Sequence, residues 1–467
     1  MNAYKKLLKN SGVFAIANLG SKLISIILVP YYTYVLSTAE YGTIDIITTN
    51  VSLILPLITL NIFDATLRFS VKSKYNNKDI FSSSIIVIIL GNLIFLLGYP
   101  FLNRIVLLKN IAYLFYIIIF IQSINCVIAQ FARGIGKVKE FAANGVINTF
   151  VLVISNIILL SKFKLGIKGY LISIILAYSI STIYLIISVR IWRFYSPKKI
   201  NSKLIKEMTI YSIPLIPNSL MWWVMNASDR YAITMFLGIA ANGIYAVAYK
   251  IPTVLNLLYS IFSQAWQLSA IEEGDSENKS EFYTNVFKIL SIVMLLGTSF
   301  IIMIVRPVIE IVLSTEYKDS WKYVPFLLLA VVFTSFSSFL GTNYIAMKET
   351  KGVFKTSLVG AILNIILNLI LIPLIGINGA AIATMISFAI VWIIRIYDTK
   401  KFVMIKIDLK KLIYSLIIIS LQICILYMKI KYYLIIEVIL VILILIVNKS
   451  DLFNIINQVI MLIKRKG

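Results

Sequence analysis

Runs of about twenty apolar residues, separated by short loops rich in lysine and arginine, recur along the whole of this chain. An α-helix of roughly that length crosses the ~30 Å hydrocarbon core of a bilayer. In lipid only helices and closed barrels satisfy their own backbone, and continuous apolar runs without two-residue alternation select helices. The chain is therefore read as an all-α polytopic membrane protein. Spans are placed at about 11–35, 42–67, 80–101, 111–132, 143–161, 167–189, 208–236, 240–270, 284–305, 322–346, 354–373, 377–397, 411–428 and 432–448, about fourteen transmembrane helices. The second, seventh and eighth are long and carry polar or proline breaks, so kinks or tilts are expected there. Composition agrees: the 467 residues are 60% apolar and 14% charged, too little polar surface for a water-soluble enzyme of this size.

The net charge of +24 would suggest nucleic acid in a soluble protein, but here the basic residues sit between spans. With the N-terminus inside, about 31 of the 44 lysines and arginines fall in loops and tails on the cytoplasmic side, among them Lys5, Lys6, Lys9, Arg395, Lys464, Arg465 and Lys466. About ten fall outside, and Lys22, Arg230 and Lys250 lie within spans. That bias puts both termini in the cytoplasm and excludes a nucleic-acid partner. The first run shows no small-x-small cleavage site and is read as a retained span, not a removed leader. An acidic inside loop with Glu272, Glu273, Asp275, Glu277 and Glu281 reads as a solvated linker, and the basic tail as an anchor to anionic lipid. Histidine is absent, and Cys126 and Cys424 fall inside apolar runs, so neither a disulfide framework nor a metal site is expected. No loop exceeds about twenty residues and no GxxxxGK[ST] occurs, which excludes an ATP-binding or other extramembrane catalytic domain.

Two landmarks repeat. Leu36–Ile44 closes the first hairpin, and Leu237–Tyr245 closes the one between spans seven and eight, with leucine, alanine and glycine coinciding at an offset of 201. Leu165-Gly166-Ile167-Lys168-Gly169 and Ile375-Gly376-Ile377-Asn378-Gly379 match at an offset of 210. The order predicts two six-helix lobes, residues 1–206 and 207–401, related by a pseudo-two-fold along the membrane normal, followed by two further helices and a basic tail in 402–467. Such duplication is a transporter geometry.

A charge at mid-bilayer costs at least ~2.5–3.5 kcal/mol, so each needs a reason. Lys22, Asp45, Asp229, Arg230 and Lys250 are the candidates. They either pair, Lys22 with Asp45 and Asp229 with Lys250, or form a cationic cavity for an anionic headgroup, where Arg230 offers a bidentate grip on phosphate. Trp222, Trp223, Tyr245 and Tyr249 lie near these charges and are candidate sugar-stacking residues, with Tyr31, Tyr32 and Tyr34 a further group in span one. Pro30, Pro214, Pro217 and Pro252 fall inside spans one, seven and eight and are candidate hinges.

The chain resembles the polysaccharide (O-antigen, capsule or teichuronic) repeat-unit flippases of the multidrug/oligosaccharidyl-lipid/polysaccharide (MOP) exporter superfamily. The matching stretches are Ser37–Gly42, Tyr211–Pro217, Ser228–Tyr231, Gly243–Lys250 and Asn364–Ala383, and the likeness runs over essentially the whole chain. The resemblance implies a flippase of the bacterial cytoplasmic membrane that moves a polyprenyl-diphosphate-linked oligosaccharide to the outer leaflet by alternating access. Lys22, Arg230 and Lys250 would meet the diphosphate, and Asp45 and Asp229 would couple transport to H+ or Na+, with other polysaccharide-assembly proteins as partners. The alternatives are a peptidoglycan lipid II flippase, a multidrug cation antiporter, whose cargo Lys22 has the wrong sign to attract, and a membrane glycosyltransferase or polymerase. For the last, the outside loop 306–321 offers no paired catalytic carboxylates.

Overall fold

The computed structural model describes residues 20, 22–71, 74–104, 109–272, 279–346, 350–428 and 430–453. Lys5, Lys6, Lys9 and the start of span one lie outside the described residues, as do Glu273, Asp275 and Glu277 of the acidic loop and the tail lysines and arginine 464–466. The chain divides into two compact units, Met1–Ala227 and Ser228–Gly467.

The first unit holds α1 (Lys22–Val35), α2 (Thr38–Thr59), α3 (Ile62–Val71), α4 (Asn77–Leu97), α5 (Ala112–Gly134), α6 (Val138–Asn156), α7 (Gly166–Val189) and α8 (Ser202–Ser212). Helix α9 (Ile216–Leu237) crosses the division. The second unit continues with α10 (Ile239–Lys250), α11 (Pro252–Glu272), α12 (Lys279–Val312), α13 (Val324–Ala346), α14 (Thr350–Ile375), α15 (Ile377–Thr399), α16 (Leu409–Met428) and α17 (Tyr433–Val447). Each of the fourteen expected spans has a helical counterpart. Among the described residues ten helices are long and apolar enough to cross a membrane, or eleven if the bent pair α10–α11 is one span, and α1 and α17 are shorter apolar helices. This is a multi-pass membrane protein.

The three long spans break where the sequence is least apolar or carries proline. Span two divides into α2 and α3 because Leu60 and Asn61 both take left-handed backbone (φ 50° and 52°), and the Asn61 N–H returns to the Pro56 carbonyl at 3.1 Å. Span seven divides into α8 and α9 through a 3-10 turn, Ile213–Leu215. Pro214 sits in that turn and Pro217 at the second position of α9, so both prolines open a helix rather than bend one. The first turn has no intrahelical acceptor for its N–H groups, so proline costs nothing there. Span eight bends by 43° between Lys250 and Pro252. Around this break the Ile251 and Val254 N–H groups bond the carbonyls of Ala248 and Ile251, three residues back instead of four. Pro30, by contrast, lies within an unbroken stretch of α1.

The hairpins are fixed locally. Ser37 caps α2: its Oγ accepts the Glu40 N–H at 3.3 Å, while Glu40 Oε2 accepts the Ser37 N–H at 3.0 Å, a reciprocal capping box. Gly166 and Gly376, matched in the sequence repeat, both adopt left-handed backbone (φ 51° and 66°). Three residues on, Gly169 and Gly379 lie against the preceding helix: a Cβ would approach the Leu159 carbonyl oxygen at 3.3 Å in one, the Leu371 carbonyl at 2.4 Å in the other. The repeat is therefore one of backbone demand, not only of apolar composition.

Aromatic packing consolidates each unit. In the first, Phe81 and Phe131 lie 4.8 Å apart between ring centres. In the second, Trp266 stacks on Phe339 at 4.3 Å and meets Tyr283 edge-on at 4.6 Å.

Candidate ion and substrate site

The second unit contains a polar cluster built around Asp229, whose side chain is wholly buried. Four helices supply it. Tyr245 of α10 and Thr384 of α15 each donate a hydroxyl to Asp229 Oδ2 at 2.6 Å, and Asn368 Nδ2 of α14 donates to Oδ1 at 2.7 Å. Around these, Ser228 donates to Asn364 Oδ1 at 2.6 Å, Asn368 Nδ2 reaches the same oxygen at 3.2 Å, and Asn364 Nδ2 donates to Thr384 Oγ1 at 3.1 Å. Asn364 and Asn368 stand one turn apart and so share a face of α14. The Asn368 Oδ1 is buried and has no hydrogen-bond partner among the described residues. These three donors to the carboxylate are neutral hydroxyl and amide groups. The carboxylate is thus surrounded by hydroxyl and amide oxygens, a donor set that suits a hard cation or a proton.

Arg230, the next residue, points elsewhere, as adjacent positions on a helix must. It is nine-tenths buried, and its guanidinium lies over the Tyr249 ring at 4.8 Å. Tyr249 is in turn 6.0 Å from Tyr245 between ring centres. Arg230, Tyr249, Tyr245 and Asp229 therefore form a continuous cation–ring–ring–carboxylate series across α9 and α10. Lys250 is half-buried at the end of α10, where its carbonyl accepts the Thr253 hydroxyl.

The remaining expected residues lie in the first unit. Lys22 is exposed at the start of the described part of α1. Asp45 is half-buried on α2. Counting from the Ser37 turn at ~1.5 Å per residue, the two differ in depth by about 10 Å. Trp223 donates its indole N–H to the Thr49 carbonyl at 3.0 Å, and the Trp222 carbonyl accepts from Asn226 at 2.7 Å. Tyr31 and Tyr32 are tied to the end of span five: Asn156 Nδ2 donates to the Tyr32 hydroxyl at 2.9 Å, and the Tyr31 hydroxyl lies 2.8 Å from Ser161 Oγ. Tyr34 is exposed.

Sequence reasoning did not single out Asn364, Asn368 and Thr384 as parts of the Asp229 cluster, although two asparagines four apart in an apolar run were the available signal. It also placed Arg395 among the inside-loop charges. The structure corrects this: Arg395 is 2% exposed within α15, donating to Thr356 Oγ1 at 3.0 Å, the Ser337 carbonyl at 2.9 Å and Ser357 Oγ at 3.1 Å. A guanidinium near a helix end reads as a loop charge by sequence, yet two hydroxyls of α14 and a carbonyl of α13 allow it to be buried. Glu437, within span fourteen, was likewise unremarked and is wholly buried, accepting from Gln422 Nε2 at 2.8 Å.

Known proteins bear on this arrangement. The uncharacterized membrane protein MJ1068 of Methanocaldococcus jannaschii is 30% identical over 252 residues, 50% of this chain and 49% of that protein. The probable low-salt glycan biosynthesis flippase Agl15 of Haloferax volcanii is 25% identical over 215 residues, 45% of each chain. The chain thus spans about half the length of these two relatives. Among solved structures, the lipid II flippase MurJ in an inward closed conformation matches with a TM-score of 0.70 at 17% identity, over 95% of this chain and 99% of that one. An inward-facing multidrug resistance MATE family transporter of the MOP superfamily matches with a TM-score of 0.64 at 14% identity, over 87% and 98% of the two chains. At such identities the likeness is one of fold, and the fold is that of the MOP exporters. Residues 7–267, more than half the chain, match the family model described as polysaccharide biosynthesis protein, and the chain belongs to that family.

Proposed function

We propose that this protein is a flippase that moves a lipid-linked oligosaccharide, carried on a polyprenyl diphosphate, from the cytoplasmic to the outer leaflet of the cytoplasmic membrane. Both termini lie in the cytoplasm, and the two lobes of residues 1–206 and 207–401 alternate in access. The cycle is driven by a monovalent cation or proton taken up at Asp229. The observation that carries this reading is the buried Asp229 carboxylate, held by neutral donors from α10, α14 and α15 in a chain of the polysaccharide biosynthesis family. A buried carboxylate in hydrocarbon is costly, and a bound positive charge lowers that cost. Because four helices converge on one carboxylate, binding and release of that charge bias how they pack. Arg230 and Lys250 supply cationic groups for the diphosphate, with Lys22 a third, and Trp222, Trp223 and Tyr249 offer ring faces to sugars. The family and the Agl15 relative support the cargo class, and the MurJ and MATE likenesses support the transport fold.

The test is lipid extraction from a strain lacking this chain. Accumulated polyprenyl-diphosphate oligosaccharide with loss of the surface glycan is the expected result, and its mass identifies the cargo. Normal surface glycan with altered drug sensitivity would replace this reading by drug extrusion.

A further inference from the structure

The first unit holds a partly open cavity of about 220 Å³ to which α2, α5, α6 and α7 each contribute residues one turn apart. Helix α7 presents Tyr170 and Tyr178, α5 presents Gln122, α6 presents Asn148, and α2 presents Thr48 and Ser52. Among the described residues no charged side chain lines it, and the rest of its wall is aliphatic apart from the tyrosine rings.

The hydrogen-bonding state of this lining is uneven. Thr48 and Ser52 have donated their hydroxyl protons to the carbonyls of Ile44 and Thr49, so they face the cavity as acceptors. Asn148 Nδ2 makes one long contact, 3.4 Å to Ser181 Oγ. The Tyr170 and Tyr178 hydroxyls and the Gln122 carboxamide engage in no hydrogen bond with the described residues. In a membrane helix each uncommitted polar group is a cost unless something in the cavity pairs with it. Aliphatic packing alone would have been cheaper, so the polar lining calls for an occupant that offers donors and acceptors together.

The volume limits that occupant. It falls below the ~300–1,000 Å³ of drug-sized ligand sites, enough for one ring and not for a chain of rings. Neutral carboxamides and phenols, with no cation, disfavour phosphate and carboxylate. Two carboxamides, two phenols and two acceptor hydroxyls on an aliphatic and aromatic frame suit a neutral polyol ring, with hydroxyls around its edge and C–H groups on its faces.

We propose that this cavity is a monosaccharide subsite that takes one neutral pyranose of the cargo. This rests on the flippase reading and adds to it a sugar selectivity located in the first unit, separate from the Asp229 cluster.

The experiment is saturation-transfer NMR on the full chain in nanodiscs. The probes are methyl glucopyranoside, methyl galactopyranoside and methyl N-acetylglucosaminide, with cyclohexylmethanol as an apolar control. At least one pyranoside is expected to receive saturation in preference to the control. Gln122→Leu and Tyr178→Phe should each weaken its binding about three- to tenfold, the range for one lost neutral hydrogen bond. Ala177→Trp, which fills the cavity, should abolish it. Gln122→Leu and Tyr178→Phe nearly conserve volume, so they decide the matter if Ala177→Trp fails to fold. No pyranoside binding, equal binding of the control, or binding unchanged in the Gln122 and Tyr178 variants would overturn the subsite. The deletion strain separates the two ideas: stranded lipid-linked glycan with no pyranoside binding to the purified protein removes the subsite alone, whereas absence of stranded glycan removes the flippase reading on which it rests.

Discussion

Tyr245 donates its hydroxyl to Asp229 across 2.6 Å, and both side chains are fully buried on helices joined by the Gly238 turn. A charge-assisted hydrogen bond of this kind contributes ~1.5–3 kcal/mol. Asp229→Asn removes the charge and turns one acceptor oxygen into a donor facing groups that already donate. Export by this variant is expected to fall about tenfold or more, with normal amounts of protein in the membrane. Tyr245→Phe keeps the charge and should raise the cation or proton concentration needed for half-maximal export. Complementation of the deletion strain across an ion series, with immunoblots of membranes, checks both. Full export by Asp229→Asn would remove this carboxylate from the transport cycle.

Arg230 over Tyr249, at 4.8 Å, carries the second expectation. A largely desolvated cation–π contact contributes up to ~2 kcal/mol. Tyr249→Phe preserves the ring and should retain most export, whereas Tyr249→Leu should lose much of it. Arg230→Lys is not a conservative change, because lysine lacks the planar fork that stacks on the ring and that, in the proposed function, would meet two phosphate oxygens. It should export less than Tyr249→Phe at equal abundance. Equal export by Arg230→Lys and the unaltered protein would show that only a point charge is needed.

The hairpin glycines give a test of folding rather than transport. A Cβ at Gly379 would meet the Leu371 carbonyl at 2.4 Å and the Ile372 nitrogen at 2.7 Å, and backbone cannot yield as a side chain can. Gly379→Ala should therefore cost at least the ~1–3 kcal/mol typical of overpacking. Gly145, in α6, has nothing within 4 Å of a built Cβ. Gly145→Ala should be neutral or stabilising by up to ~1 kcal/mol, since alanine is the better helix former. Thermal unfolding of the two variants in detergent should separate them in opposite directions.

The helical plan was legible because each span writes its own signal: apolar length sets the helix, and loop chemistry sets its ends. Ser37 with Glu40, and Gly166 with Gly376, stand at helix boundaries where the sequence placed hairpins. The breaks at 60–61, 213–215 and 251 were legible as places of strain but not in their form. Proline announces a missing N–H without saying whether the helix will bend, as at Pro252, or simply start, as at Pro217. The Asp229 cluster was half legible. A charge in a span is conspicuous, but its partners Asn364, Asn368 and Thr384 come from helices over a hundred residues away, and only packing brings them together. Arg395 failed for a related reason: distance from a span end measures depth in the membrane, not which way a side chain faces.

Pro252 offers a test of the bend itself. The 43° angle between α10 and α11 arises where a missing N–H and a ring clash prevent a regular turn, worth ~3 kcal/mol in a helix interior. Pro252→Ala allows a straight helix through 250–254. Stability should hold or rise while the export rate drops, because a hinge that no longer bends favours one conformation. Hydrogen exchange at residues 248–254 should slow in parallel. Unchanged exchange with unchanged export would make the bend a static feature of the packing.

Glu437 and Gln422 test whether the last two helices are held by a polar contact or in spite of one. Gln422 Nε2 lies 2.8 Å from Glu437 Oε2 and 3.4 Å from the Ser299 carbonyl, linking α16 to α17 and to α12. The other oxygens of the pair, Gln422 Oε1 and Glu437 Oε1, are buried without hydrogen-bond partners among the described residues, as are the hydroxyls of Thr298 and Ser299. A pair so incompletely satisfied gains little over apolar packing, yet breaking it from one side leaves the remaining group stranded at ~1–3 kcal/mol. Gln422→Leu alone should therefore lower the thermal midpoint, because Glu437 keeps its oxygens and loses its donor. Glu437→Gln should be nearly silent, since an amide oxygen still accepts from Gln422. The double variant Gln422→Leu with Glu437→Leu should unfold at or above the midpoint of the unaltered protein. If it instead unfolds below both single variants, the contact is a net stabiliser and the last two helices are held by it.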